Sequence, residues 1–302
     1  MSKRVKGSIS LFLCTIIWGS SFVAQSVGMD HVGPFTFQAV RCFLAVIGLL
    51  PVILVSDHFQ KDGKNFRQRW TDKKLWKAGL LCGLPLFIAC NLQQLGIVDT
   101  DAGKSAFLTA MYIVIVPIIG IFLKKKPSKM IPISVLLAVA GLYCLSCVGV
   151  TSISTADLLL LGCAFAYAVQ ITVVDIYVNR VDALRLSLIQ SLVCSVLSAV
   201  IMVFAEEVTW QGVTDCWLPL AYSGFLSMGA AYSLQIIGQK DLEPSTASLI
   251  MSLESVFAVI FGCLLLQETL TVWETLGCVL VFSAVILSQL PEKKAKTKTG
   301  PM

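Results

Sequence analysis

Charge is scarce in this chain of 302 residues. Asp, Glu, Lys and Arg make up only 14% of it, against 56% hydrophobic residues. Soluble domains carry about 25% charged and about 45–50% apolar residues. The composition excludes a water-soluble globular domain and implies an integral membrane protein. Histidine is nearly absent: His31 and His58 are the 2 there are. They fall in loops on opposite sides of the apolar segments, and no HExxH or other metal-ligand spacing occurs, so no metal is expected. There is no GxxxxGK[ST] phosphate loop, so an ATP-driven pump would lack its motor. No cluster of acids or histidines gathers near one interface, as a membrane enzyme would need. We therefore expect a protein that is not an enzyme and carries no cofactor.

Cysteine, by contrast, is plentiful, at 11. Most lie inside apolar runs (Cys14, Cys42, Cys82, Cys90, Cys144, Cys163, Cys194, Cys263, Cys278) and read as small packing residues. The net charge of +5 does not imply a nucleic-acid partner, because the basic residues flank the apolar runs and orient them in a bilayer. The end of the chain, KKAKTK at 293–298, reads in the same way, as a cytoplasmic basic tail over 291–302. The start, MSKRVKGSIS before an apolar run, reads as an uncleaved first helix, because no small-residue cleavage site follows convincingly.

Ten apolar segments can be drawn: 8–28, 35–55, 75–97, 103–123, 130–149, 157–178, 184–204, 217–238, 245–266 and 272–290. A helix needs roughly 20 residues to cross the bilayer core. Connections are short except 56–74 and the acidic 205–216. With the N-terminus inside, every Lys and Arg except Arg41 and Lys104 falls on the inner side. Asp30, Asp99, Asp101, Glu206, Glu207, Asp215 and Glu268 fall outside. That asymmetry puts both termini in the cytoplasm of a plasma-membrane protein. Losing one segment would invert every later loop, so it also supports ten spans.

The ninth and tenth segments, separated by Gln267-Glu268-Thr269, repeat the fourth and fifth at a distance of 142 positions. Gly262 then falls on Gly120, Glu268 on Lys126 and Glu254 on Tyr112. At the front, Cys14-Thr15-Ile16-Ile17-Trp18-Gly19 pairs with Cys163-Ala164-Phe165-Ala166-Tyr167-Ala168 at an offset of 149. The change of offset puts a net seven residues in loops. Five segments per copy is an odd number, so the second copy enters the membrane with opposite orientation. Inverted duplication of this kind is a signature of secondary transporters whose site lies between the halves. The expected fold is an all-α membrane protein of ten transmembrane helices, with one five-helix repeat over 8–149 and another over 157–290.

Several stretches resemble the EamA-type transporters of the drug/metabolite transporter superfamily. They are Trp18-Gly19-Ser20-Ser21-Phe22, Arg41 early in the second segment, Ala247-Ser248-Leu249 through Leu253-Glu254, and Leu264-Leu265-Leu266-Gln267-Glu268-Thr269-Leu270-Thr271. The resemblance covers 8–290 as two repeats, and it rests on order, spacing and topology together. It implies alternating access, with a cavity lined by segments 1, 3, 4, 6, 8 and 9 and with segment 2 peripheral. It also implies small-metabolite substrates such as amino acids and their derivatives, and export as the commonest direction. The family often has Glu-Pro in the ninth segment. Here Ser255 follows Glu254, and the proline of the first copy comes later, at Pro117.

Candidate site residues follow from polarity at depth. Glu254 lies near the midplane, where a charge costs about 2.5–3.5 kcal/mol on insertion scales. It reads either as an acceptor for a proton or a substrate amine, or as a structural carboxylate bonded to a neighbouring helix. Tyr112, its repeat partner, should reach the same depth from the other half. Trp18, Ser21 and Gln25 share one helical face. They offer a stacking wall and hydrogen bonds, or polar glue between helices. Asn91 and Gln94 share a face expected to meet the cavity, while Gln93 points elsewhere and packs. Tyr167 with Gln170, and Tyr232 with Gln235, repeat an aromatic-then-amide pattern suited to a cavity wall. Arg41 is a charge partner for a substrate carboxylate, or a structural clamp. Lys104 is a second such charge partner, or snorkels to the interface. Asp175 reads as a solvated end charge.

The reading is a secondary transporter for amino acids or related metabolites, with export expected. Its partners are a small-molecule substrate, the lipid bilayer and protons as a coupling ion, and it works as a monomer or dimer. Two alternatives are an exporter of cationic or multidrug compounds and a permease of the vitamin or nucleoside type. The small multidrug transporters carry a glutamate in their first helix, and the first segment here has no acid. A membrane receptor or scaffold is a further class, against which the polar midplane residues argue.

Overall fold

A computed structural model describes residues 1–59, 65–125, 128–146, 153–266 and 271–290. Lys126, Gln267, Glu268, Thr269 and the tail 291–302 lie outside the described residues, and so does the pairing of Glu268 with Lys126. The described residues are helical throughout, with no strand. Hydrocarbon imposes this, because each backbone amide and carbonyl must find its partner within its own segment.

The helices in chain order are α1 (Lys3–Met29), α2 (Pro34–Phe59), α3 (Phe66–Trp70), α4 (Lys73–Val98), α5 (Ala102–Ala110), α6 (Tyr112–Phe122), α7 (Ile131–Ser146), α8 (Thr155–Tyr177) and α9 (Ala183–Ala205). They continue as α10 (Trp210–Asp215), α11 (Trp217–Ala221), the π-helix π1 (Tyr222–Ala231), α12 (Tyr232–Gln239), α13 (Pro244–Met251), α14 (Leu253–Leu266) and α15 (Val272–Gln289). Among the described residues eight helical spans are long and apolar enough to cross a membrane, counting α5–α6 and α13–α14 as one each, and α7 is a shorter apolar helix. The chain is a multi-pass membrane protein. The two longer connections hold α3 and α10.

Three of the expected segments are not plain helices. The eighth is α11, π1 and α12 in succession. Its π turn lies where the segment approaches α2 most closely: a Cβ on Gly224 would stand 2.6 Å from Leu44 Cβ and 3.0 Å from the Arg41 carbonyl. The fourth and ninth segments are each broken in the middle, at Met111 and at Ser252, and proline stands at neither break. Three-residue turns make them instead: Val114 N donates to Met111 O (3.1 Å) and Ser255 N to Ser252 O (3.2 Å). Ser252 Oγ takes up the Leu249 carbonyl at 2.8 Å. A serine side chain thus supplies locally what the ladder loses.

The antiparallel pair α2 and α9 is held at both ends. At one end the Glu206 carboxylate, just past α9, accepts from Phe35 N and Thr36 N, both at 2.8 Å, and from Thr36 Oγ1 at 2.6 Å. An anion on free helix N-terminal amides is favourable on both hydrogen-bond and dipole grounds. At the other end Asp57, near the end of α2, accepts both of its oxygens' bonds from Arg185 at 2.5 Å. Asp57 and Glu206 are 149 positions apart, as are Thr36 and Arg185. The two clamps are therefore one contact seen twice, once from each repeat.

The fifth and tenth segments, α7 and α15, pack backbone against backbone. A Cβ on Gly277 would stand 2.6 Å from the Gly141 carbonyl oxygen and 2.8 Å from Leu145 N, neither of which can turn aside. A Cβ on Gly103 would meet only Val259 Cγ2, at 3.5 Å. Overpacking of this kind costs about 1–3 kcal/mol. Gly277→Ala is therefore expected to lower the thermal unfolding midpoint of the purified protein by several degrees, with Gly103→Ala leaving it unchanged or slightly raised. Equal midpoints for the two variants would refute the close contact.

Candidate functional site

A cavity of about 20 Å³ lies between α1, α2, α4, α6, α8, π1, α12 and α14, room for about one water. Two larger spaces lie beyond it. One, of about 650 Å³, brings together Lys3, Lys125 and Lys240, the acids Asp175, Asp241 and Glu243, and Val116, Thr172 and Gln239. The other, of about 310 Å³, holds Asp30, His31 and Glu207 beside Met29. Val116 and Gln239 stand one helical turn beyond the cavity residues Tyr112 and Gln235. Met29 stands one turn beyond Gln25.

Four pairs of cavity residues are repeat counterparts: Trp18 with Tyr167, Phe22 with Ile171, Gln93 with Gln235, and Tyr112 with Glu254. The first two pairs keep the offset of 149 and the last two that of 142. Tyr112 Oη donates to Glu254 Oε1 at 2.8 Å, so this pair touches directly across the two copies. Both residues begin the second half of a broken helix, and the breaks turn them toward one another. Ser255 Oγ crosses the same joint to the Ala106 carbonyl at 2.8 Å.

The aromatic residues form a relay. The Trp18 and Tyr232 rings meet edge to face at 4.9 Å. Tyr232 Oη donates to Tyr167 Oη (3.0 Å), Tyr167 Oη to Gln93 Oε1 (3.3 Å), and Gln93 Nε2 to Thr109 Oγ1 (3.3 Å). Three polar atoms of cavity residues have no protein partner among the described residues: Trp18 Nε1, Gln25 Oε1 and Gln235 Oε1. Unpaired buried groups cost about 1–3 kcal/mol each, so one donor and two acceptors are left for something that enters.

Arg41 lines the cavity, although α2 was expected to stand aside. Its side chain is 2% exposed. Nε donates to Gln38 Oε1 at 2.7 Å, and the guanidinium lies 5.7 Å from the Phe37 ring centre. Among the described residues no carboxylate lies within ion-pair distance of it. Helix α2 meets π1 closely here, with Gly224 against the Arg41 carbonyl, and π1 itself contributes Ser227 and Met228 to the cavity.

Other expectations are corrected. Asn91 and Gln94 do not line the cavity, and Gln93 does. Asn91 Nδ2 bonds Ser198 Oγ on α9 at 2.8 Å, and Gln94 Nε2 bonds the Gln25 carbonyl on α1 at 3.4 Å. Helix α4 is packed on several sides, so a shared face does not reveal which neighbour it meets. The repeat offset was the usable signal, since it carries Gln235 back to Gln93. Ser21 and Gln170, themselves counterparts, lie behind the wall. Ser21 accepts from Gln25, and Gln170 bonds Gln190 at 3.2 Å and Gln235 at 3.1 Å. Lys104 is neither a cavity charge nor a free end; it pairs with Asp157 at 2.7 Å. Asp175 is not simply solvated, because Lys125 bonds it. Phe22, Ile171, Ser227 and Met228 carried no sequence signal beyond apolarity or small size.

Comparison with known proteins agrees with this architecture. The EamA-like transporter family matches the chain twice, at 5–147 and 154–290. An uncharacterised transporter of Archaeoglobus fulgidus is 31% identical over 289 residues, covering 95% of this chain and 87% of that protein. The uncharacterised transporter YoaV of Bacillus subtilis is 24% identical over 302 residues, covering 97% and 99%. A solved crystal structure superposes with a TM-score of 0.77 at 17% identity, covering 95% of this chain and 97% of that one; at that identity the likeness speaks to fold. With both halves matched by one family and a relative above 30% identity along nearly its whole length, the chain belongs to the EamA-like transporter family.

Proposed function

We propose that the chain is a plasma-membrane secondary transporter that moves small zwitterionic metabolites, amino acids or close derivatives, outward by alternating access. The observation that carries this reading is one small cavity faced by a single guanidinium, Arg41, and a single carboxylate, Glu254. Each is buried, at 2% and 4% exposure, and they do not pair with each other. A buried cation without an anion is costly, and a substrate carboxylate would relieve it. The indole N–H of Trp18 is available to the same group. A substrate ammonium would take Glu254 together with the open Gln25 and Gln235 acceptors. The guanidinium argues against purely cationic drugs as substrates.

Ten spans follow in this reading when α7 and the α11–π1–α12 succession are counted as the fifth and eighth. The repeats are then 8–149 and 157–290, which the two family matches support. Lys3, Lys125 and Lys240 share one vestibule, and that supports a cytoplasmic face there with both termini inside. That vestibule is the larger, which favours loading from the cytoplasm and hence export. Glu254 is the one carboxylate in the cavity and the place for an exchanged proton.

Two substitutions test the reading in proteoliposomes. A hydrogen bond to a charged group is worth about 1.5–3 kcal/mol, or about 10–100-fold. Glu254→Gln is expected to lower amino-acid flux at least about tenfold on that scale, and to abolish its response to an imposed pH gradient. An unchanged pH dependence would remove the proton from the scheme. Arg41→Gln is expected to weaken binding of an amino acid about 10–100-fold while leaving binding of its carboxamide unchanged. Equal losses for both ligands would contradict a carboxylate anchor at Arg41.

A further inference from the structure

The cavity holds its carboxylate already occupied. Among the described residues Tyr112 is the hydrogen-bond donor to Glu254, and both side chains are almost fully buried. We propose that Tyr112 is a positioning residue whose hydroxyl stands in for the substrate ammonium on Glu254, so that substrate binding loosens this contact between the repeats. This rests on the zwitterion reading above.

Space favours the exchange. The cavity has room for about one water, too little for an amino acid, so its walls must shift when one binds, and the phenol on Glu254 Oε1 is the wall nearest the carboxylate. The ammonium brings three N–H donors and a full charge, and charge-assisted bonds of this kind are the stronger ones. Once displaced, the phenol has somewhere to go. It opens helix α6 directly after the Met111 turn, and one to two turns further on Val116, Pro117 and Gly120 face the 650 Å³ vestibule. The same joint keeps a second tie, Ser255 Oγ to the Ala106 carbonyl, so releasing the phenol loosens the contact without parting the two halves. Tyr112 thereby serves as an internal competitor. It keeps Glu254 satisfied when the site is empty, at the expense of substrate affinity, and it makes occupancy and loosening a single event.

An internal competitor has a signature that a structural or directly binding residue lacks: removing it tightens binding. Full-length wild type and Tyr112→Phe are reconstituted and titrated with L-alanine, L-leucine and L-phenylalanine. Each amino acid is run beside its desamino acid (propionate, 4-methylpentanoate, 3-phenylpropionate), which keeps the carboxylate and lacks the ammonium. Phenylalanine keeps the ring, so the joint remains filled. The expected result is a Kd for the bound amino acids that falls about tenfold in the variant, the worth of one hydrogen bond to a charged group, with no change for the desamino acids. In flux assays KM and kcat are expected to fall together, because binding no longer releases a tie. Unchanged or weakened amino-acid binding in Tyr112→Phe, with wild type binding normally, overturns the proposal alone. An equal change for amino acids and desamino acids also overturns it, since the effect would then not pass through Glu254. If wild type binds none of the six ligands, the zwitterion reading fails and takes this proposal with it.

Discussion

A carboxylate in hydrocarbon has no solvent to fall back on, and Glu254 meets that constraint with a donor from the other half of the chain. The Tyr112 hydroxyl reaches it at 2.8 Å, and both membrane-crossing helices are broken just before these residues, at Met111 and Ser252. Unbroken helices would satisfy their own backbones, but they would carry the two side chains past one another. The break at Ser252 costs ladder hydrogen bonds, and serine side chains restore some of them within the same turn. One polar contact therefore fixes the depth of two helices, the position of their breaks and the place of the cavity. In a bilayer, where apolar burial supplies little drive between helices, such contacts determine how the halves meet.

The duplication explains why the contact pairs a residue with its own counterpart. Elements related by an inverted repeat can touch their mates only along the axis relating the copies. Tyr112 with Glu254 lies there, and so does Cys90 with Tyr232, also 142 positions apart and 3.6 Å from sulfur to hydroxyl. Gly141 and Gly277 are not strict counterparts, but they bring the mated helices α7 and α15 together at the same kind of contact. Away from the axis, counterparts line opposite walls, as Gln93 and Gln235 do. The scaffold is thus symmetric, and chemistry breaks the symmetry: tyrosine faces glutamate, and Arg41 has Gln190 as its mate at the offset of 149. A cavity with one cation and one anion needs such divergence, because identical copies would place like groups on both sides.

Most of the frame was legible in the sequence because hydropathy and loop charge report directly on what lipid and water will accept. The apolar segments and the repeat offset are of this kind, and the offset already aligned Tyr112 with Glu254. The azimuth of a buried helix is not. Asn91, Gln93 and Gln94 are three amides in four positions on α4, which packs against α8 and α9 and also meets α1. Polarity could not tell which amide faced the cavity and which faced a neighbouring helix. The helix breaks were illegible for a related reason, since proline was the available cue and serine and methionine stand there instead. The π turn in 222–231 leaves even less trace. It is set by the fit of Gly224 against the Leu44 and Arg41 region of α2, a contact between segments far apart in sequence.

The paired clamps on α2 and α9 bear on which parts can move. Glu206 holds the N-terminus of α2 while Asp57 holds Arg185 near the N-terminus of α9, and both contacts are made in the same conformation. Ser195 Oγ, at the middle of α9, also bonds the Ala39 carbonyl in the early turns of α2 at 2.9 Å. A helix pair tied at both ends cannot open toward one side and then the other without losing a part-buried hydrogen bond to a charged group, worth about 1.5–3 kcal/mol. It behaves as a strut. The broken helices carry ties of their own, Lys104 to Asp157 and Lys125 to Asp175 at the two ends of α5–α6, but each has a turn at its middle, and α6 and α13 line the large vestibule through Val116, Pro117, Gly120, Pro244 and Ser245. In the transport cycle we propose, α5–α6 and α13–α14 bend at Met111 and Ser252 against α2 and α9, the pair on which Arg41 is mounted. On that proposal Arg41 stays in place while Glu254 exchanges the Tyr112 hydroxyl for a substrate ammonium.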